Sequence, residues 1–489
     1  MFLAALDQTI VVTILPNLQR LFETNDINWI VTGYMLPVAI FSLIWGRLAF
    51  VYGTKRATMV SIIVFETGSL ISALAQSFQT LIVGRVIAGV GGSGIATLCY
   101  LIINEISSVK YRSWFINIIN LSFAVSSVIG PVLGGVFSEK VSWRWCFYIN
   151  LPIGGFSFIV LVLVYKPHDT KGARDHVSGV ASYYKILDIN GLLTIATGLT
   201  LFLLGLSMGG NTYKWKSAIV ICFIVIGFTL ILLFLMVEYS YKETESHHPF
   251  IPFRILNYQF LHALSFLFIA EMCFIMQCIY LSDYLQYVQR NSELMSGIKL
   301  LPMIISVTVV STSSSYVVSK YGILKPIAVL GAITSPLASY LLATLSEQSR
   351  LYQQLTTQIL SGISFGFILI PGMMIPQIGQ KDDDLNIATS LSAFIRAVGS
   401  SFGSVLGQLI FSNYIQERSD GLNLDYVLHD SQYGNDLDSP KLVVSGYRAV
   451  LYCAIGVGVV EFINSLFVND RNINSGHTDT TTPPEDEEG

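Results

Sequence analysis

Fourteen long apolar runs, parted by short polar breaks, account for most of this chain. The first seven cover residues 1–19, 29–50, 59–75, 78–103, 114–137, 145–165 and 188–209. The other seven cover 215–238, 259–281, 296–318, 326–345, 356–378, 387–411 and 447–468. A bilayer core about 30 Å thick needs about 20 mostly apolar residues in a helix. In lipid only a helix or a closed barrel satisfies its own backbone. The pattern therefore predicts an all-α polytopic membrane protein with fourteen transmembrane helices. The first run begins at Met1 with no basic segment before it, which predicts a retained span rather than a cleaved leader. About 18 residues at about 1.5 Å each reach about 27 Å, so this span is barely long enough, and the chain is expected to start inside a helix that is longer in relatives.

Composition sharpens the picture. Of 489 residues, 52% are hydrophobic and only 12% are charged, against about 25% charged in soluble domains. A soluble enzyme is excluded. A net charge of −4 is small and of the wrong sign for a nucleic-acid partner. All six cysteines lie inside apolar runs, with neither a disulfide framework nor a zinc spacing. No metalloprotease helix, nucleophile elbow or phosphate loop is present, so no cofactor is expected.

Lys and Arg set the orientation. They favour the side that holds Arg47, Lys55, Arg56, Lys110, Arg112, Lys320 and Lys325. The positive-inside rule makes that side cytosolic and puts both termini there. Residues 166–187 form a long cytosolic connection, and 412–446 a long loop on the other side. The tail 470–489 is polar and acidic and reads as disordered.

Glycines recur at a nearly fixed interval. Gly130 and Gly134 are followed 273 residues later by Gly403 and Gly407, and Gly89 is followed by Gly362 at the same interval. Gly53 and Gly322 are 269 apart. Two homologous six-helix bundles are expected, 1–165 and 258–469, with the seventh and eighth spans inserted between them in 166–257. Duplicated halves around a midplane site mark secondary transporters.

Several stretches carry a family resemblance. ALDQTIVVTILP at 5–16, GRLAFVYGTKRA at 46–57, GRVIAGVGGSG at 84–94, IGPVLGG at 129–135 and WRWCFYINLPIGG at 143–155 resemble the major facilitator superfamily, in its fourteen-helix drug:proton antiporter branch. LIVGRVIAGVGGSGIATLC and LFLLGLSMGGNTYKW (201–215) are similar to fungal vacuolar basic amino acid permeases. The resemblance implies a major facilitator fold with a 6 + 2 + 6 arrangement. It implies a monomer in the lipid bilayer that exchanges protons for a small cationic substrate, loading Lys, Arg or His into the vacuole. Drug efflux across the plasma membrane is the alternative. The loop motif's acid is replaced by Phe50, which removes one member of the charge cluster the family implies at the cytosolic gate. That departure and the short first span motivate another alternative, a receptor-like member that does not transport.

Charges inside a membrane are costly and by default functional. The embedded acids are Asp7, Glu66, Glu271 and Glu461, and the embedded bases are Arg85, Lys299 and Arg396. Asp7 and Glu271, on the first helix of each half, are expected to face one cavity and bind proton and cation. Arg85 is expected to tune proton release, while Glu66, Arg396 and Glu461 are further candidates. For each there is a blander reading: a static ion pair for Arg85, a bond to Gln277 for Glu271, snorkelling for Lys299. Gly46, Gly53, Lys55 and Arg56 carry the loop motif. Gly130, Gly134 and Gly135 are expected to let helices approach closely, and Pro131 to bend the fifth span. Tyr34, Tyr280 and Tyr284 are candidate stackers for a cation.

Overall fold

The computed structural model describes residues 1–12, 14–22, 29–166, 188–209, 213–240, 255–378, 380, 382–418 and 439–468. The 470–489 tail, most of the 166–187 connection and the centre of the 412–446 loop lie outside these residues. Within them the chain is helical. In order come α1 (Phe2–Val12), α2 (Leu15–Phe22), α3 (Trp29–Tyr52), α4 (Thr54–Leu74), α5 (Phe78–Ile106), α6 (Val109–Lys140), α7 (Trp145–Tyr148) and α8 (Asn150–Val164). Next come α9 (Ile189–Met208), α10 (Ala218–Ser240), α11 (Tyr258–Asp283), α12 (Glu293–Lys299), α13 (Leu301–Tyr321), α14 (Lys325–Ala343), α15 (Leu351–Met374), α16 (Asp382–Arg418) and α17 (Ser439–Phe467).

Among the described residues thirteen helices are long and apolar enough to cross a membrane. The expected first span, 1–19, is the exception. It is divided into the apolar α1 and the more polar α2, so a count of fourteen full-length spans does not appear. In α2, Asn17 is exposed and donates to Ser138 Oγ at 2.9 Å.

Local chemistry sets the breaks. The Asn257 side chain accepts from Phe260 N and starts α11. Gly53 separates α3 from α4 with φ 86° and ψ 147°, a region open essentially to glycine alone. Gly322 ends α13 in the left-handed conformation. The tenth span is broken into α12 and α13 just ahead of Pro302.

The helices sort into packing groups. Helices α1 and α3–α8 pack on one another, chiefly α4 on α5, α3 on α5 and α1 on α6. Helices α11 and α13–α17 form a second group, with α13 on α15, α14 on α17 and α15, and α11 on α16 and α17. The seam between the groups is made by α3 and α5 against α16, and by α6 against α13. The α9–α10 hairpin packs on both α3 and α16.

The recurring glycines meet corresponding neighbours. A Cβ at Gly89 would lie 2.5 Å from Tyr34 O of α3, and one at Gly362 would overlap Met303 O of α13. A Cβ at Gly130 would collide with Thr9 of α1, and one at Gly403 would lie 2.6 Å from Met272 O of α11. Gly46 sits against Ser390 across the seam. Gly134 is buried in α6, and the Pro131 side chain lies outside the description. Gly135 corrects the expectation for its motif: a Cβ there would meet nothing within 4 Å, so it mediates no close approach.

Candidate functional site

Two buried ion pairs stand out. The first joins α1 to α5. Arg85 Nη1 donates to Asp7 Oδ2 at 2.5 Å, with side chains only 2% and 0% exposed. Asn150 of α8 donates to the other oxygen, Asp7 Oδ1, at 2.9 Å and to Ser69 Oγ at 3.1 Å. Arg85 Nε donates to Ile30 O at 3.2 Å. Its guanidinium lies 4.3 Å from the centre of the Tyr34 ring, so Tyr34 stacks on a protein cation. Burying a charge pair is tolerable only when the remaining lone pairs and protons are also satisfied. Here Ile30 of α3 and Asn150 of α8 each add a partner to the pair, and Ser69 of α4 in turn accepts from Asn150.

The second pair lies at the seam. Arg396 Nε of α16 donates to Glu271 Oε1 of α11. Arg396 Nη1 donates to Tyr100 Oη of α5 at 3.2 Å, on the other side of the seam. Glu271 is 8% exposed by side chain, but Arg396 is 27% exposed. This pair is reachable in a way that Asp7 and Arg85 are not.

The expected sites thus come together differently from the paired carboxylates foreseen. Asp7 and Glu271 each close on an arginine of their own packing group. Glu271 is not satisfied by Gln277, which instead donates to Ser339 Oγ at 2.8 Å and accepts from Ser361. Tyr280 and Tyr284 pack in the hydrophobic core formed by α11 and α17. Lys299 donates to Asn291 Oδ1 at 2.7 Å.

Glu66 and Glu461 stand apart from both pairs. Glu66 of α4 lies against Gly154 of α8, and neither of its carboxyl oxygens has a hydrogen-bond partner. Glu461 of α17 is fully buried and accepts from Ser335 Oγ at 3.0 Å, with Oε1 unpartnered. Ser335 continues through Cys273 to Ser339 and Gln277, a polar chain inside the second group.

The loop motif works through the backbone and through an acid not singled out above. Lys55 Nζ donates to Val162 O at 2.8 Å and Tyr165 O at 2.7 Å, tying down the end of α8. Arg56 is exposed. Glu105, near the end of α5, accepts from Thr54 of the loop and from Tyr165. Burial, together with the Glu105 bond, pushes the Tyr165 hydroxyl up from its usual range and keeps it a neutral donor. An acid at the edge of a span, beside a loop motif that has lost its own acid at Phe50, was the available signal for Glu105. Tyr100 had none, being one aromatic among many.

Hydrogen bonds also cross the seam toward the end that carries the Gly53 and Gly322 turns. Asn104 Nδ2 donates to Thr389 Oγ1 at 2.6 Å. Asn117 Nδ2 donates to Thr312 Oγ1 at 2.9 Å, and Ser311 Oγ donates to Asn117 Oδ1 at 3.0 Å. Ser113 Oγ donates to Ser315 O at 3.2 Å and lies 2.8 Å from Ser319 Oγ. These contacts are uncharged.

Comparison with known proteins gives a consistent result. The family model for the Major Facilitator Superfamily matches residues 1–214. The chain is 33% identical to "Protein SGE1" of Saccharomyces cerevisiae, over 96% of this chain and 95% of that protein. It is 34% identical to "Vacuolar basic amino acid transporter 5" of the same yeast, over 84% of this chain and 77% of that protein. "Azole resistance protein 1", also from that yeast, is 30% identical over 97% of this chain and 87% of that protein. Among solved structures, the human organic anion transporter MFSD10 matches with a TM-score of 0.61 at 13% identity, covering 95% of this chain and 97% of that one. The proton:xylose symporter XylE matches with a TM-score of 0.59 at 12% identity, covering 96% and 93%. These structural matches speak to the fold. Helical architecture and sequence similarity agree: the chain belongs to the Major Facilitator Superfamily of membrane transporters and is not an enzyme.

Proposed function

We propose that this transporter is a proton-coupled antiporter that moves basic amino acids by alternating access between two six-helix halves. The observation that carries the reading is the Glu271–Arg396 pair, buried at the seam yet with Arg396 27% exposed. Such a pair offers an anion and a cation side by side. That matches the zwitterionic head of an amino acid, whose ammonium can take Glu271 and whose carboxylate can take Arg396. Proton and substrate ammonium then compete for the same carboxylate. The Asp7–Arg85 pair, closed on all sides, acts as the fixed anchor of the first half and holds α1 in register. The corresponding glycine contacts of Gly89 with Gly362 and of Gly130 with Gly403 support the duplicated halves. Similarity to a vacuolar basic amino acid transporter supports the substrate class and a vacuolar location, and the Lys and Arg clustered at the Gly53 end favour a cytosolic face there with both termini beside it.

The test is uptake of labelled Lys, Arg and His into sealed proteoliposomes under an imposed proton gradient, alongside substrate-evoked proton flux. Saturable uptake that collapses with the gradient is expected. A second reading, drug efflux, is favoured by the similarity to an azole resistance protein. It takes over if none of the three amino acids is moved while a cationic dye is. Tight binding of a substrate without flux points instead to a receptor-like member.

A further inference from the structure

The two seam contacts of α5 lie on one face of that helix. Tyr100 and Asn104 are four residues apart, and they meet Arg396 and Thr389 of α16, seven apart. Spacings of four and seven keep side chains on a common face. The two helices therefore touch along an antiparallel ladder. One rung, Asn104–Thr389, is neutral. The other is charge-assisted, since the Tyr100 hydroxyl receives a proton donor of a guanidinium that is already bound to Glu271.

Tyr100 is 4% exposed. Arg396 has its Nε on one partner and its Nη1 on the other, so the guanidinium's position depends on both. Anything that takes Glu271 away from Arg396, whether a proton or a substrate ammonium, alters where Nη1 points. The rung to α5 then weakens, and the neutral contacts at Asn104, Ser113 and Asn117 hold the Gly53 end alone.

We propose that Tyr100 is the positioning residue through which the Glu271–Arg396 pair controls closure of the seam at the Gly53 end. This rests on the reading of Glu271 and Arg396 as the transport site. It adds the element that converts occupancy of that site into movement of the other half.

The experiment is a double-mutant cycle on the full chain in proteoliposomes, read by alkylation rather than by transport. Ile116→Cys places a thiol at a position 1% exposed, in the apolar cluster that α5 and α6 share with α11 and α13, so none of the seam hydrogen bonds is removed, and its labelling by a water-soluble maleimide is followed by peptide mass spectrometry. In that background Tyr100→Phe is expected to raise the labelling rate about tenfold, the scale of one hydrogen bond to a charged group. Glu271→Gln is expected to raise it comparably, and the two together no further than either alone. Asn104→Ala serves as a purely structural comparison: it also loosens the seal, but its effect multiplies with that of Glu271→Gln. Multiplicative behaviour of Tyr100→Phe with Glu271→Gln overturns the proposal, as does unchanged labelling in Tyr100→Phe. Absence of amino-acid uptake by the unsubstituted protein overturns the substrate assignment alone, because the cycle does not need transport to be read.

Discussion

Arg85 lies 2.5 Å from Asp7 with both side chains sealed away, 2% and 0% exposed. Removing either partner strands the other as an unpaired buried charge, at a cost of about 3–5 kcal/mol. Asp7→Asn and Arg85→Gln are therefore expected to lower the unfolding temperature in detergent sharply and to reduce the amount of folded protein. Arg85→Lys is expected to fare little better, because a lysine cannot reach Asp7 and Ile30 O while stacking on Tyr34. Fluorescence-detected size exclusion after a heat ramp checks this. Full stability in Asp7→Asn overturns the anchoring role.

Glu271→Gln is expected to behave in the opposite way. Its partner Arg396 is 27% exposed and also bonded to Tyr100, so the orphaned guanidinium is less tightly enclosed than Arg85 and the protein is expected to stay folded. Proton-driven uptake should fall by about tenfold or more, the scale of losing one charge-assisted contact to substrate. Measuring melting temperature and uptake on the same preparation separates the two ion pairs. Equal stability losses in Asp7→Asn and Glu271→Gln would falsify the division into anchor and transport site.

Glycine substitutions separate close packing from mere membership of a motif. Gly403→Val drives a side chain into Met272 O at 2.6 Å and should cost about 1–3 kcal/mol or more, as overpacking does. Gly135→Val meets nothing within 4 Å and should stay within about 0.5 kcal/mol of the parent. Chemical denaturation in detergent ranks the pair, and a large loss at Gly135 contradicts the structure.

Two turns are expected to differ in what they tolerate. Gly53 has φ 86° and ψ 147°, whereas Gly322 has φ 67° and ψ 20°. Asn enters the second region readily but not the first. Gly322→Asn should be nearly silent, and Gly53→Asn should cost about 1–3 kcal/mol. Melting temperatures of the two variants, compared side by side, decide the matter.

Much of the architecture was legible in the chain because lipid imposes a simple rule on length and polarity. Thirteen of the fourteen apolar runs correspond to helices that can cross a membrane. The first did not follow the rule, since the apolar stretch ends with the 11-residue α1 and the run carries on into the polar Asn17 and Gln19 of α2. The charged residues of the site were equally visible, as a charge in lipid announces itself. Their pairing was not. Arg396 follows Glu271 by 125 positions, and no periodicity within one helix links them. Tyr100 and Glu105 were missed for related reasons: an aromatic in a membrane helix is ordinary, and an acid at a helix end reads as solvated.

The α9–α10 hairpin has a consequence for the lipid around the protein. Phe202 of α9 stacks on Phe402 of α16, with ring centres 6.4 Å apart. Ile195 and Leu199 of α9 share a hydrophobic cluster with Leu43 of α3 and Leu391 of α16. The hairpin thus straddles one flank of the seam like a splint. When α3 and α16 shift against each other, acyl chains cannot slip in from that flank, and the hairpin must slide with one helix and shear along the other. Entry of a hydrophobic molecule sideways from the bilayer is thereby hindered along the flank that the hairpin covers.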